Sequence, residues 1–173
     1  LINLGTPDSA DVADVRRYLG QFLMDPFVLS APTIIRALIV YGFILPFRPN
    51  KSAEAYASIW TDEGSPLLTG SQRLADELAA ELQAPVVLSM RYGNPSIQAG
   101  IEELAAQGVE HVIVVPLYAQ HADSTVTTSL RAVEAALPAT MQHSVLPPFY
   151  GADEHSQAWG ELIKQHLPEQ WDH

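Results

Sequence analysis

The residues best suited to chemistry cluster just after short apolar runs. Arg91 and Tyr92 precede a Gly93-Asn94-Pro95 turn. An arginine at a strand's carboxyl end can form a bidentate pair with a carboxylate, either of a ligand or of one of the chain's own twenty acidic side chains. His121 and Asp123 lie two apart beside Tyr118, Gln120, Ser124, Thr125, Thr127 and Thr128. Two ligands do not complete a metal site, so this run is read as a capping loop in which Asp123 or Ser124 starts a helix, with ligand binding by Tyr118 and the hydroxyls as a second reading. The other five histidines, His111, His143, His155, His166 and His173, share no ligand spacing. Gly5-Thr6-Pro7-Asp8 reads as a turn at a strand end, while Tyr56, Trp60 and Ser65 suit a helix face and the cap of the next helix.

Several chemistries drop out by absence. The sequence has no G-x-G-x-x-G after its first strand, no G-x-x-x-x-G-K-[ST], no G-x-S-x-G and no H-E-x-x-H. Zero cysteines exclude disulfides, thiolate zinc sites, cysteine nucleophiles and any cysteine-ligated iron–sulfur cluster.

What must position these residues is an alternation of short apolar runs with amphipathic stretches. Candidate strands are 1–5, 85–90, 111–117 and 142–146, and candidate helices are 11–24, 66–82, 95–107, 124–136 and 155–166. Asn94 is the expected N-cap of the third helix, and Gly108 ends it. Val112 to Val115 has no polar alternation and should be buried on both faces. The pattern predicts an α/β domain, a doubly wound four-stranded parallel sheet flanked by helices, with ligands bound outside the strands' carboxyl ends.

At 173 residues, 47% hydrophobic and 17% charged, the chain has the size and composition of one ordinary domain. Its net charge of −11 argues against nucleic acid as a partner. The stretch from Ala31 to Phe47 is the longest apolar run, but Pro32, Arg36 and Pro46 interrupt it, so it is too short and broken for a spanning helix. Residues 46–52 suit a hinge between two helical pieces.

Taken together, the strings resemble ferrochelatase, the enzyme family that inserts ferrous iron into a porphyrin. They are Leu1-Ile2-Asn3-Leu4-Gly5-Thr6-Pro7; Arg16-Arg17-Tyr18-Leu19 with Phe22-Leu23-Met24-Asp25-Pro26; Ser52-Ala53-Glu54-Ala55-Tyr56 through Ile59-Trp60; Glu63-Gly64-Ser65-Pro66-Leu67; Arg91-Tyr92-Gly93-Asn94-Pro95; and Pro116-Leu117-Tyr118-Ala119-Gln120-His121 with Ser124-Thr125. The resemblance spans nearly the whole chain, departing from many relatives at His121-Ala122, where they show Tyr-Ser.

The resemblance implies an N-terminal chelatase-like domain over 1–173, one of two similar domains, with the C-terminal one absent from the sequence. It implies a porphyrin wall of Leu4, Thr6, Tyr56, Ser65, Arg91 and Tyr118. The family's catalytic His and Glu are expected downstream of His173, which itself precedes the strand following Trp171 and is not the catalytic residue. No metal site and no resident cofactor are expected in this chain, ferrous iron being a substrate. Residues 31–47 resemble the family's hydrophobic lip, of the length seen in protoporphyrin IX enzymes, which implies a cytoplasmic protein with peripheral membrane contact. Alone, the chain is expected to be inactive. The alternatives are a non-catalytic flavodoxin-like or periplasmic-type binding module, or a chelatase for another tetrapyrrole and metal.

Overall fold

The computed structural model describes residues 1–167, so Trp171 and His173 lie outside the described residues. Strand β1 (Ile2–Thr6) runs parallel to β2 (Ser89–Gly93), with Ile2 opposite Ser89 and Thr6 opposite Gly93. Strand β3 (His111–Val114) runs parallel to β4 (Gln142–Val145), with His111 opposite Gln142. One parallel bridge links the pairs: the Ile2 amide donates to the Val115 carbonyl at 2.9 Å, and the Leu117 amide donates to the Ile2 carbonyl at 2.8 Å. The expected continuous four-stranded sheet therefore takes the form of two two-stranded parallel sheets. The link stops after one step because the Leu4 amide, next in line on that edge, donates to Oδ1 of its neighbour Asn3 at 2.8 Å.

Helix α1 (Val12–Leu23) follows β1; α2 (Thr33–Ala37) runs on into a π-helical stretch (Leu38–Ile44), and α3 (Arg48–Ile59) and α4 (Pro66–Leu82) come before β2. After β2 come α5 (Ile97–Ala106), β3, a second π-helical stretch (Asp123–Thr127), α6 (Thr128–Ala136), β4 and α7 (Asp153–His166). Ile97 and Ile101 of α5 and Val133 of α6 pack with Ile2, Val112 and Val114 in one core cluster. Ala75 of α4 packs with Leu88 and Met90 in another, and the Asn3 side-chain amide donates to Ser71 Oγ of α4 at 2.9 Å.

Four sequence expectations need correction. Strand β2 starts at Ser89 rather than Pro85, which has no amide to offer a ladder. Helix α5 is capped by Ser96, whose Oγ accepts the Ala99 amide at 3.1 Å, and not by Asn94, whose side chain instead donates to Asp8 at 2.8 Å. The Met90 amide bonds the Pro95 carbonyl, holding that turn in strand-like pairing before the helix begins. The third strand is not buried on both faces: Val112 and Val114 are interior, but Ile113 is 70% exposed, and β4 beside it is exposed throughout. Finally, the expected hinge reduces to a short turn through Pro46 and Phe47, because helix α3 is already under way at Arg48.

The first two strands approach closely at their carboxyl ends. Gly5 has φ +113°, and a Cβ there would collide with the Tyr92 carbonyl; Gly93 has φ +79° and faces the Thr6 carbonyl. Both the backbone conformation and the space demand glycine. Gly5→Ala is expected to destabilise the fold by about 2–4 kcal/mol, read as a lower urea midpoint, whereas Gly70→Ala, a helical glycine with open space around its Cβ position, leaves it unchanged or slightly raised.

Candidate functional site

Asp25 leaves the end of α1 and turns inward, its side chain only 2% exposed. One carboxylate oxygen, Oδ1, accepts the Phe27 amide at 2.7 Å. The other, Oδ2, accepts Arg91 Nη2 at 2.5 Å, the Tyr92 hydroxyl at 2.8 Å and the Thr128 hydroxyl. Arg91 Nε donates back to Oγ1 of Thr128 at 2.8 Å and to its carbonyl at 3.1 Å. Four polar side chains from α1's end, β2 and the start of α6 thus pair with one another around one buried carboxylate. Burial by itself would raise the Asp25 pKa; the hydrogen bonds from Thr128, the Phe27 amide and Tyr92, with the Arg91 charge, outweigh it and hold the carboxyl below its ordinary value.

From this knot an aromatic run extends across the strand ends. The Arg91 guanidinium lies 4.5 Å from the centroid of the Tyr92 ring. Tyr92 meets Phe22 edge-on at 5.3 Å, Phe22 stacks on Tyr18 at 6.2 Å, Tyr18 meets Tyr56 edge-on at 6.2 Å and Tyr56 meets Trp60 at 6.3 Å. The geometry is that of favourable aromatic pairs, and it is set by i, i+4 spacing along α1 and α3. The Tyr18 hydroxyl donates to the Gly5 carbonyl at 3.2 Å, and Tyr118 shares a hydrogen with Ser129 at 3.4 Å. Burial is the main cause pushing the Tyr18, Tyr56, Tyr92 and Tyr118 phenols up, so all four stay neutral at ordinary pH.

Of the six residues expected from sequence, the structure brings three into this neighbourhood. Tyr56 joins the aromatic run, and Arg91 and Tyr118 stand close enough for the guanidinium to influence the phenol. Arg91 is bound to the protein's own Asp25 and is 23% exposed, so the internal pair weighed in the sequence is the one that forms. Thr6 is buried at the end of β1, and its hydroxyl finds no hydrogen-bond partner among the described residues. Leu4 is half-buried on the same strand, and Ser65 occupies the N-cap position of α4 without a side-chain cap bond. Neither hydrogen-bonds to the Asp25 knot. His121 lies apart: its Nε2 pairs with Thr127 Oγ1 at 3.2 Å, which itself donates to Asp123 at 2.8 Å, and the helical turn starts at Asp123 as the sequence suggested, with Ala122 in the N-cap position and no side-chain cap bond. Among the described residues no three His, Asp or Glu side chains gather as a metal site.

A cleft of about 330 Å³ opens beside the knot, lined by Gln21, Met24, Pro26, Phe27 and Arg131 with Asp25, Arg91 and Thr128. Sequence reasoning gave Asp25, Tyr18 and Phe22 no role, although all three stand in the family-like strings, and it grouped Thr128 with the hydroxyls beside Tyr118 rather than with Arg91. The helical spacing of Tyr18 and Phe22 was a usable signal; nothing in the local pattern pairs Asp25 with Arg91, 66 residues away.

The ferrochelatase family model matches residues 1–172. The chain belongs to the ferrochelatase family. Among curated ferrochelatases it is 50% identical to that of Pseudomonas syringae pv. syringae and 49% identical to those of Pseudomonas fluorescens biotype C and Azotobacter vinelandii, each match covering 100% of this chain and 52% of the relative. The chain thus spans about half the length of the curated ferrochelatases it matches.

The Asp25 knot sets an acid dependence. Its folded pKa lies below the unfolded value, so its stabilisation is complete above about pH 4 and fades as pH falls through the lower, folded pKa. Asp25→Asn is expected to cost about 3 kcal/mol in urea unfolding at pH 7. The gap between wild type and variant should hold from pH 8 to about pH 5 and shrink below about pH 4; a gap that grows on acidification contradicts the assignment.

Proposed function

We propose that this chain is the porphyrin-binding half of a ferrochelatase that inserts ferrous iron into protoporphyrin IX. The observation that carries the reading is the aromatic run at the strand ends, in which buried Tyr18 and Tyr92 back the half-buried Phe22, Tyr56 and Trp60, with half-buried Tyr118 nearby, in a chain of this family. Leu4, Thr6, Tyr56, Ser65, Arg91 and Tyr118 form the wall against which the macrocycle lies, the strand ends holding one edge and α3 and α4 the other. A flat, largely apolar ligand suits neutral phenols and rings better than charged groups, because neither partner then loses strong hydration on contact.

Metal insertion needs the ring to bend and two pyrrole protons to leave. The bending is strain drawn from contacts remote from the nitrogens, which a rigid wall supplies. The protons need a general base, and that group belongs to the part of the enzyme beyond this chain, with the second domain. Ferrous iron is a substrate in this reading, which calls for no resident cofactor.

The lip completes the reading. Val40 and Leu45 are buried, with Leu45 against Gly20 of α1, while Ile34, Ile35, Leu38, Tyr41, Phe43 and Phe47 are exposed. Ile39 and Ile44 of the same stretch are half-buried, the π-helical winding turning them toward the body. No helix among the described residues is long and apolar enough to cross a membrane. The exposed face, followed by Arg48 and Lys51, instead suits insertion into the headgroup layer on the cytoplasmic side.

Soret absorbance titration of the 173-residue chain with protoporphyrin IX is expected to show saturable binding, with no response to flavin; flavin binding in its place would favour the non-catalytic module. Under anaerobic conditions with ferrous iron, metallation should not exceed the no-protein control and should appear on adding the second domain. In flotation with vesicles containing anionic lipid, wild type should rise with the vesicles, while a Leu38→Asp, Phe43→Asp variant of unchanged circular dichroism should stay in the dense fraction. Equal partitioning of the two removes the membrane contact.

A further inference from the structure

Asp25 does more than close a core, and we infer that it is a positioning residue of the porphyrin site, fixing the Arg91 guanidinium and Tyr92 against the root of the lip. The inference rests on the porphyrin reading above. Its two oxygens serve different parts of the molecule: Oδ1 takes the Phe27 amide, where the chain departs toward the lip, and Oδ2 takes Arg91, Tyr92 and Thr128. The guanidinium is consumed along its Nε and Nη2 edge, whereas Nη1 makes no hydrogen bond among the described residues and the side chain lines the 330 Å³ cleft. One edge is locked and one is offered. An arginine held this way keeps its donor in place without ordering four side-chain torsions when ligand arrives. The carboxylate also offsets the cation beside Tyr92, so the wall presents a placed donor instead of a free charge facing an apolar ring. A residue serving packing alone would not need to join the lip root, β2 and α6 through a single carboxylate.

The test is Soret titration of wild type and Asp25→Asn with protoporphyrin IX at pH 7, alongside thermal unfolding and NMR of the arginine Nε–H resonances. Asp25→Asn is expected to bind about tenfold more weakly and to lose the slowly exchanging Arg91 Nε–H signal while still folded. A variant with a lower Tm but wild-type affinity makes Asp25 a structural tie only and overturns the inference while leaving the porphyrin reading intact. Wild type that does not bind porphyrin sinks both. Should Asp25→Asn not fold, Thr128→Val removes one donor to Asp25 and one acceptor of Arg91, and is expected to weaken binding about threefold; unchanged affinity there overturns the inference equally.

Discussion

A carboxylate taken out of water must recover several kcal/mol from its neighbours, and in this domain the neighbours of Asp25 come from three places far apart in sequence. Arg91 and Tyr92 arrive on β2, Thr128 on the first turn of α6, and the Phe27 amide from the segment that leads to the lip. Removing the carboxylate would leave the Tyr92 hydroxyl and Arg91 Nη2 without the partner they have here, Arg91 keeping only its Nε bonds to Thr128. Buried ion pairs contribute modestly to net stability compared with apolar packing, but they penalise every alternative packing in which one member is left alone. The knot therefore fixes geometry more than it adds free energy, and the geometry it fixes is that of the strand ends.

The aromatic run starts from that placement. Tyr92, its hydroxyl held at Asp25, meets Phe22 edge-on, and the contacts continue through Tyr18 and Tyr56 to Trp60 along two helices. Tyr18 is pinned a second time by the Gly5 carbonyl, which stands where it does because Gly5 and Gly93 let β1 and β2 approach without side chains between them. Two glycines with positive φ and one buried carboxylate thus set the position of five aromatic rings.

Much of this arrangement was legible in the sequence. Helix α4 spans the residues its leucine spacing marks, with Pro66 in the first helical position and Gln83 in a left-handed conformation past its end. The strand ends, singled out for ligand chemistry because parallel strands with crossover helices leave that edge open, are where Arg91 and Tyr92 meet Asp25. What could not be read was pairing over long range. Twenty acidic residues were candidates for Arg91, and local patterning has no term that selects Asp25. Apolar content misled at β3, where Ile113 reads as core and is exposed, since periodicity reports which residues prefer burial and not whether a partner surface is present to bury them. Polar side chains competing for backbone groups were equally invisible: Asn3 takes the Leu4 amide and so ends the link between the sheets, a contact one residue long that no strand pattern encodes.

The lip shows the same division between what sequence sets and what context must supply. Its inner residues, Val40 and Leu45, behave as ordinary core, and Arg36 folds under it to donate to the Ala31 carbonyl at 2.8 Å, stitching the helix to the segment before it. Its outer face carries six large apolar side chains with no protein surface over them among the described residues. In water such a face is unfavourable in proportion to its area, at about 25 cal/mol per Å², and a domain could lower that term by replacing any of these residues with a polar one without disturbing Val40 or Leu45. The inner anchoring by Val40, Leu45 and Arg36 fixes which side of the stretch faces out. An anchored apolar face of this size makes physical sense where the surface it meets is itself apolar, since its side chains are then covered without the inner contacts being given up.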